Sequence, residues 1–202
     1  MWTEYRELLS RIRKLSKEFL PKISPTASYR DDQVRQMFAF RLSAHAEMEG
    51  FLELCAQELA TELAMKNSKG ILSKTVAELI VEHKEKCDFP PMSVTKRPKD
   101  IQDRVNKALN KVQGEISQNN GVSEKDVLKL FVPLGIDIDG SWHPWLNSMN
   151  DVSQARGRVA HRSWVVGGSQ IPTPQAERAR LVGPLFGMRR LIEEIEVIRA
   201  VS

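Results

Sequence analysis

From about Arg30 to Lys66 the chain keeps a helical pattern with no proline and only Gly50 to weaken it. A helix of that length has to be packed along its flanks by other elements, and the rest of the chain supplies helices to do it. Residues 3–19 are rich in Glu, Leu, Arg and Lys with an apolar stripe, and Pro21 and Pro25 then break the chain. Lys69-Gly70 ends the long helix, and Ser73 caps a helix to about Lys86. Asp88 to Pro98, with three prolines, reads as a loop, and 99–118 as a mostly polar helix closed by Asn119-Asn120-Gly121. Ser123 with Asp126 opens a short helix to about Val132, a turn-rich stretch runs to Trp142, and a helix follows from Pro144 to about Trp164. Thr173-Pro174 starts the last helix, in which Pro184 predicts a kink or a late restart. Runs such as Trp164-Val165-Val166 are too short for a sheet, so the fold class is all-α: a bundle of about six to seven helices in a single domain over 1–202.

Composition narrows the setting. At 202 residues with 41% hydrophobic and 28% charged residues, the chain can bury a core and is neither disordered nor fibrous. Two cysteines, Cys55 and Cys87, make no disulfide framework, which suits a reducing cytoplasm. No apolar run approaches the ~18 residues that span a bilayer, so no membrane partner is expected. The net charge of +4 alone identifies no nucleic-acid binder. Its distribution says more: residues 42–90 carry nine acids and five bases, whereas all eight bases of 141–202 are arginines. Guanidinium suits phosphate and carboxylate better than ammonium does. The last four of these arginines read as solvated helix faces.

Polar exceptions mark two helices. In the long one, Val34, Phe38, Met48, Leu52, Cys55 and Leu59 share a seam of alternating four- and three-residue steps. Its gap falls on Arg41 and His45, with Glu49 on the flank one turn on. A buried cation needs a partner, so this reads either as an Arg–His–Glu ladder facing a polar cleft or as side chains reaching solvent from a curved helix. The last helix has a packing seam at Leu181, Leu185, Met188, Ile192 and Ile195.

Ser153 to Trp164 holds the densest chemistry: Arg156, Arg158, His161 and Arg162 lie within seven residues. On a helix Arg158 shares a face with His161 and Arg162, whereas Arg156 sits about 140° from His161. Like charges this close repel unless an anion lies among them, which points to a phosphate. His83 and Cys87, four apart, lack the further ligands that a zinc site needs, and no metal is expected. Trp142-His143-Pro144-Trp145 either stacks on a base or buries its indoles at the start of a helix.

The pattern Arg156-x-x-x-x-His161, with Ala160 before the histidine, resembles the R-x(4–6)-H signature of the HEPN superfamily. The helix from Phe40 to Glu53 resembles the early long helix of its RiboL-PSP-HEPN branch. The resemblance implies an all-helical ribonuclease that cleaves RNA, tRNA among the candidates, without metal or cofactor, by attack of the ribose 2′-OH on the adjacent phosphorus. It implies His161 as the proton-transfer group and Arg156 as the phosphate stabiliser. Arg158, Arg162, Glu49, Arg41 and His45 are expected as substrate contacts or supports. It also implies a homodimer with both motifs in one cleft, and a toxin or anti-phage role with a cognate antitoxin or defence-system partner. Two positions depart from the family: Gly157 replaces a polar residue, often Asn, and Arg162-Ser163 replaces x-Tyr, which disfavours regulation through a modified tyrosine. The same residues leave open an inactive HEPN-like module that binds RNA, a nucleotide or a protein, and a plain helical adaptor whose arginines hold an acidic partner.

Overall fold

The computed structural model describes residues 1–26, 28–69, 97–161 and 172–201, without the side chains of 97–104, 160, 161 and 201. Six α-helices account for most of them: α1 (Trp2–Phe19), α2 (Asp31–Ser68), α3 (Arg97–Ser117), α4 (Glu124–Phe131), α5 (His143–His161) and α6 (Pro174–Val201). Short 3₁₀ turns occupy Val132–Leu134 and Gly140–Trp142, and no strand occurs among the described residues. No helix among them is long and apolar enough to cross a membrane. The all-α expectation holds. The helix expected over 73–86 lies outside the described residues.

Local chemistry sets the helix starts. The backbone N–H of Arg30 donates to Gln33 Oε1 at 3.0 Å, half of a capping box, and Asp31 and Asp32 place negative charge in the first turn of α2. Pro98 is the second residue of α3 and not the end of a loop, because a proline in the first turn forfeits no helical bond. The N–H of Glu124 at the start of α4 is met by Asn150 Oδ1 at 2.9 Å. Thr173 Oγ1 accepts from the Ala176 N–H at 3.2 Å and caps α6. Pro184 neither stops nor restarts α6, which runs through it.

The chain forms two compact units. The first comprises 1–51, 121–125 and 139–192. Its core takes Tyr5, Leu8 and Ile12 from α1, Met37, Phe40, Ala44, Met48 and Phe51 from α2, Met149 and Val152 from α5, and Met188 and Leu191 from α6. Trp142 and Trp145 are buried with ring centroids 5.4 Å apart, so the tryptophans before and within α5 are packing residues, not an exposed stacking platform. Two aromatic side chains hold α6 beside its proline: Trp145 Nε1 donates to the Pro184 carbonyl at 3.1 Å, and the Tyr5 hydroxyl to the Leu185 carbonyl at 2.9 Å. Gly187 makes room for the indole, since a Cβ there would run into the Trp145 ring.

The second unit comprises 52–120, 126–138 and 193–202. Leu52, Cys55, Leu59 and Leu63 of α2, Leu109, Val112 and Ile116 of α3, and Leu130 and Phe131 of α4 fill its core. The turn after α4 closes at Gly135, whose φ of 84° suits a residue without Cβ, and its N–H donates to the Val132 carbonyl at 3.0 Å. Arg199 is not a solvated face but a hub, pairing with Glu62 at 2.5 Å, Glu196 at 2.8 Å and Glu58 at 3.4 Å. Burial acts to lower its pKa, but the bonds to Glu62 and Glu196 outweigh this and hold the pKa above the usual arginine value.

Candidate active site

Helix α5 carries the motif, and the preceding turn aims it. Asp139 accepts from the Ser141 N–H at 2.8 Å and from its hydroxyl at 2.5 Å, fixing the 3₁₀ turn that leads into the helix. These hydrogen bonds from Ser141, with Arg190 nearby, hold the Asp139 carboxyl below the usual range. Arg190 donates to the Ser141 carbonyl at 3.1 Å and stacks 4.0 Å from the Trp142 ring, so it too is a structural arginine. Leu146, Met149, Val152 and Ala155 then bury one stripe of α5 in the first unit.

Directly after Ala155 the stripe gives way to the motif. Arg156 is half-buried and Arg158 exposed, and neither has a carboxylate partner among the described residues. His161 is the last described residue of α5, and its side chain lies outside the described residues, as does all of Arg162.

Arg41 reaches α5 from α2. Its Nη1 donates to the Ala155 carbonyl at 3.4 Å, immediately beside Arg156. Its Nε and Nη2 donate to the two carboxylate oxygens of Glu177 at 3.0 and 2.5 Å. The pair is nearly sealed, with side-chain exposures of 10% for Arg41 and 2% for Glu177, and the Phe38 ring centroid lies 5.4 Å from the guanidinium carbon. Bidentate geometry of this kind makes a charge-assisted bond strong and fixes both side chains. His45, one turn further along α2, is buried, with Nδ1 3.7 Å from Glu49 Oε2.

The single Arg–His–Glu ladder is therefore two pairs. Arg41 is neutralised across helices by Glu177, and Glu49 serves His45 on its own helix. Glu177 was missed by sequence reasoning, yet it leaves a trace there. It stands four residues before Leu181 on the seam that α6 buries, where an acid needs a cationic partner.

Among the described residues no group of three or more His, Cys, Asp or Glu side chains could hold a metal ion, and His83 and Cys87 lie outside them. No curated protein and no solved structure matches the chain. The model of the RiboL-PSP-HEPN family matches residues 6–175, a stretch that runs from Arg6 in α1 through α5, holds Arg41, His45, Glu49 and the whole Arg156–His161 motif, and ends two residues short of Glu177. By a match over most of its length, on an all-helical fold, the chain belongs to the RiboL-PSP-HEPN family.

Proposed function

We propose that the protein is a metal-independent endoribonuclease that works as a homodimer, with the end of α5 as its catalytic element. HEPN domains are generally ribonucleases or RNA-binding modules and commonly dimerise. The observation that carries the reading is the sorting of the arginines. Arg41 and Arg199 are neutralised by carboxylates, whereas Arg156 and Arg158 have none among the described residues. Positive charge that no described carboxylate compensates thus gathers in the last turns of α5, where the helix dipole also favours it, next to a histidine.

The chemistry follows from those groups. Imidazole titrates near neutrality, so His161 accepts the proton of the ribose 2′-OH as that oxygen attacks phosphorus, and the 5′-oxygen leaves with a proton. The products are a 2′,3′-cyclic phosphate and a 5′-hydroxyl. Arg156 stabilises the charge that builds on the phosphorane. Arg158 and Arg162 hold neighbouring phosphates. In a dimer the partner's motif supplies a second histidine, one for each proton transfer. Arg41, held by Glu177, positions α5 through the Ala155 carbonyl, and His45 with Glu49 supports α2; none of the four touches substrate. A toxin or anti-phage role in the cytoplasm, with a cognate antitoxin or defence-system partner, fits an RNA-cutting enzyme of this family.

Incubating the purified protein with total RNA and with tRNA in EDTA, between about pH 6 and 8, tests the reading. Cleavage to cyclic-phosphate ends that His161→Ala abolishes in a folded protein is the expected result. RNA bound but left intact across that range makes the protein an inactive RNA-binding module. Neither binding nor cleavage leaves only the adaptor.

A further inference from the structure

We infer that the protein has a second recognition surface, separate from the α5 motif: a groove between α1 and α6 that takes an acidic amphipathic helix of a partner protein. The groove has a volume of about 390 Å³. Phe40 of α2 forms its floor, with Ile12 on the α1 bank and Leu181, Val182 and Leu185 on the α6 bank. The remaining lining residues are Arg13, Ser16, Lys17 and Arg178, and no aspartate or glutamate is among them.

Two observations select the occupant. The first is charge. Arg13 and Lys17 lie one turn apart along the exposed side of α1, and the Arg178 side chain crosses from α6 to donate from Nε to Ser16 Oγ at 3.0 Å. An apolar trough edged by three cations and no anion attracts a ligand that is apolar on one side and acidic beside it. The second is extent. The apolar surface does not end at the groove: on α6, Val182 is 67% exposed and Phe186, one turn on, 71% exposed. Arg178, Val182 and Phe186 share one helical stripe, so the charged and apolar positions of this surface repeat at the spacing of a helix. An exposed phenylalanine continuous with an apolar groove marks a protein contact, because a small ligand filling the groove would leave Phe186 in water. The helix-in-groove mode, with anchors at i, i+3 or i+4 and i+7, matches both observations.

Panning the full-length protein against an unbiased display library of peptides about 16 residues long reads the preferred chemistry directly. The enriched peptides should carry Leu, Ile, Phe or Met at helical spacing with Asp or Glu beside them. A selected peptide should bind the Val182→Ser/Phe186→Ser variant at least about tenfold more weakly. It should also bind the Arg13→Ser/Lys17→Ser variant several-fold more weakly, by a factor that shrinks as salt is raised. All four side chains are exposed, so the variants fold, and circular dichroism checks that they do. Peptides that are basic, lack the spacing, or bind the serine variants as tightly as wild type overturn the inference. So does a wild-type dimer that Phe186→Ser converts to monomer in sedimentation, which would seat a second copy there. Saturable binding of sodium dodecanoate with no peptide enriched overturns it too, in favour of a small amphiphile. RNA cleavage is unchanged in the serine variants, so the outcome is independent of the proposed nuclease activity.

Discussion

Arg41 and Glu177, 136 positions apart in sequence, form a nearly sealed bidentate ion pair whose guanidinium also holds the carbonyl of Ala155, the residue before the motif arginine. Two charges have been taken out of water, and breaking such a pair strands one of them. Arg41→Ala or Glu177→Ala should each cost about 3–5 kcal/mol in urea unfolding. The double variant Arg41→Met/Glu177→Leu, which strands neither charge, should recover most of that stability. It should still cleave RNA more slowly than wild type, since the tie to Ala155 is gone. Equal losses in the single and double variants would show that the pair acts through packing and not through charge.

Arg156 and Arg158, the α5 arginines that pair with no described carboxylate, should separate in kinetics. Arg156→Ala lowers RNA cleavage by about 10²–10³ if it stabilises the phosphorane. Arg158→Ala lowers it by no more than about tenfold and reduces the salt slope of RNA binding by about one. The reverse order would place Arg158, which shares a helix face with His161, in the catalytic role. Gly157 lies between them with open space where a Cβ would stand, so Gly157→Ala should raise stability by about 0.5–1 kcal/mol. A loss of stability instead would mean that the open space is filled in the functional assembly.

Gly187 faces the Trp145 indole so closely that an added methyl group would overlap the ring. Gly187→Ala should displace the indole, break its bond to the Pro184 carbonyl, and destabilise the protein by about 1–3 kcal/mol, outweighing the better helix propensity of alanine. A shift in tryptophan emission should accompany the loss. An unshifted spectrum with unchanged stability would refute the close approach.

Burial raises the Tyr5 pKa, against an opposing pull from Arg189, while its hydroxyl donates to Leu185. The unfolded phenol ionises near 10, so the contribution of Tyr5 to stability is complete below about pH 10 and is lost as pH rises through the higher folded value. Tyr5→Phe should cost about 0.5–1.5 kcal/mol at pH 8, and that difference should narrow at about pH 11. A difference that is constant with pH would mean that the hydroxyl contributes nothing through its proton.

What the sequence disclosed and what it hid divide on physical grounds. The start of the last helix was legible at Thr173-Pro174, because caps and prolines act within one turn. The buried face of α2 was legible from Met48 to Leu59 but not before. Alternating four- and three-residue steps drift about 20° per heptad on a straight helix. By Phe38, three heptads before Leu59, the expected seam has turned about 60° from its direction at Leu59, and Met37, Phe40 and Ala44 are buried on a different face. Phe38 is half-buried instead, beside the Arg41 guanidinium. In the candidate site, the need of Arg41 for a carboxylate was legible, since any buried cation has it. The identity of that carboxylate was not, because periodicity within one helix carries no information about which other helix lies across from it. The same limit hid the partners of Arg199, which read as surface charge until three glutamates from two helices closed on it.

The turn of α6 around Pro184 lacks a backbone donor and on its own would be the weakest part of that helix. It is also where Trp145 and Tyr5, from two other helices, take adjacent carbonyls. Local opening of α6 therefore begins away from its proline, and the amides flanking Pro184 exchange with solvent only when the first unit opens as a whole. A residue that would fray an isolated peptide thus marks the last stretch of the helix to let go.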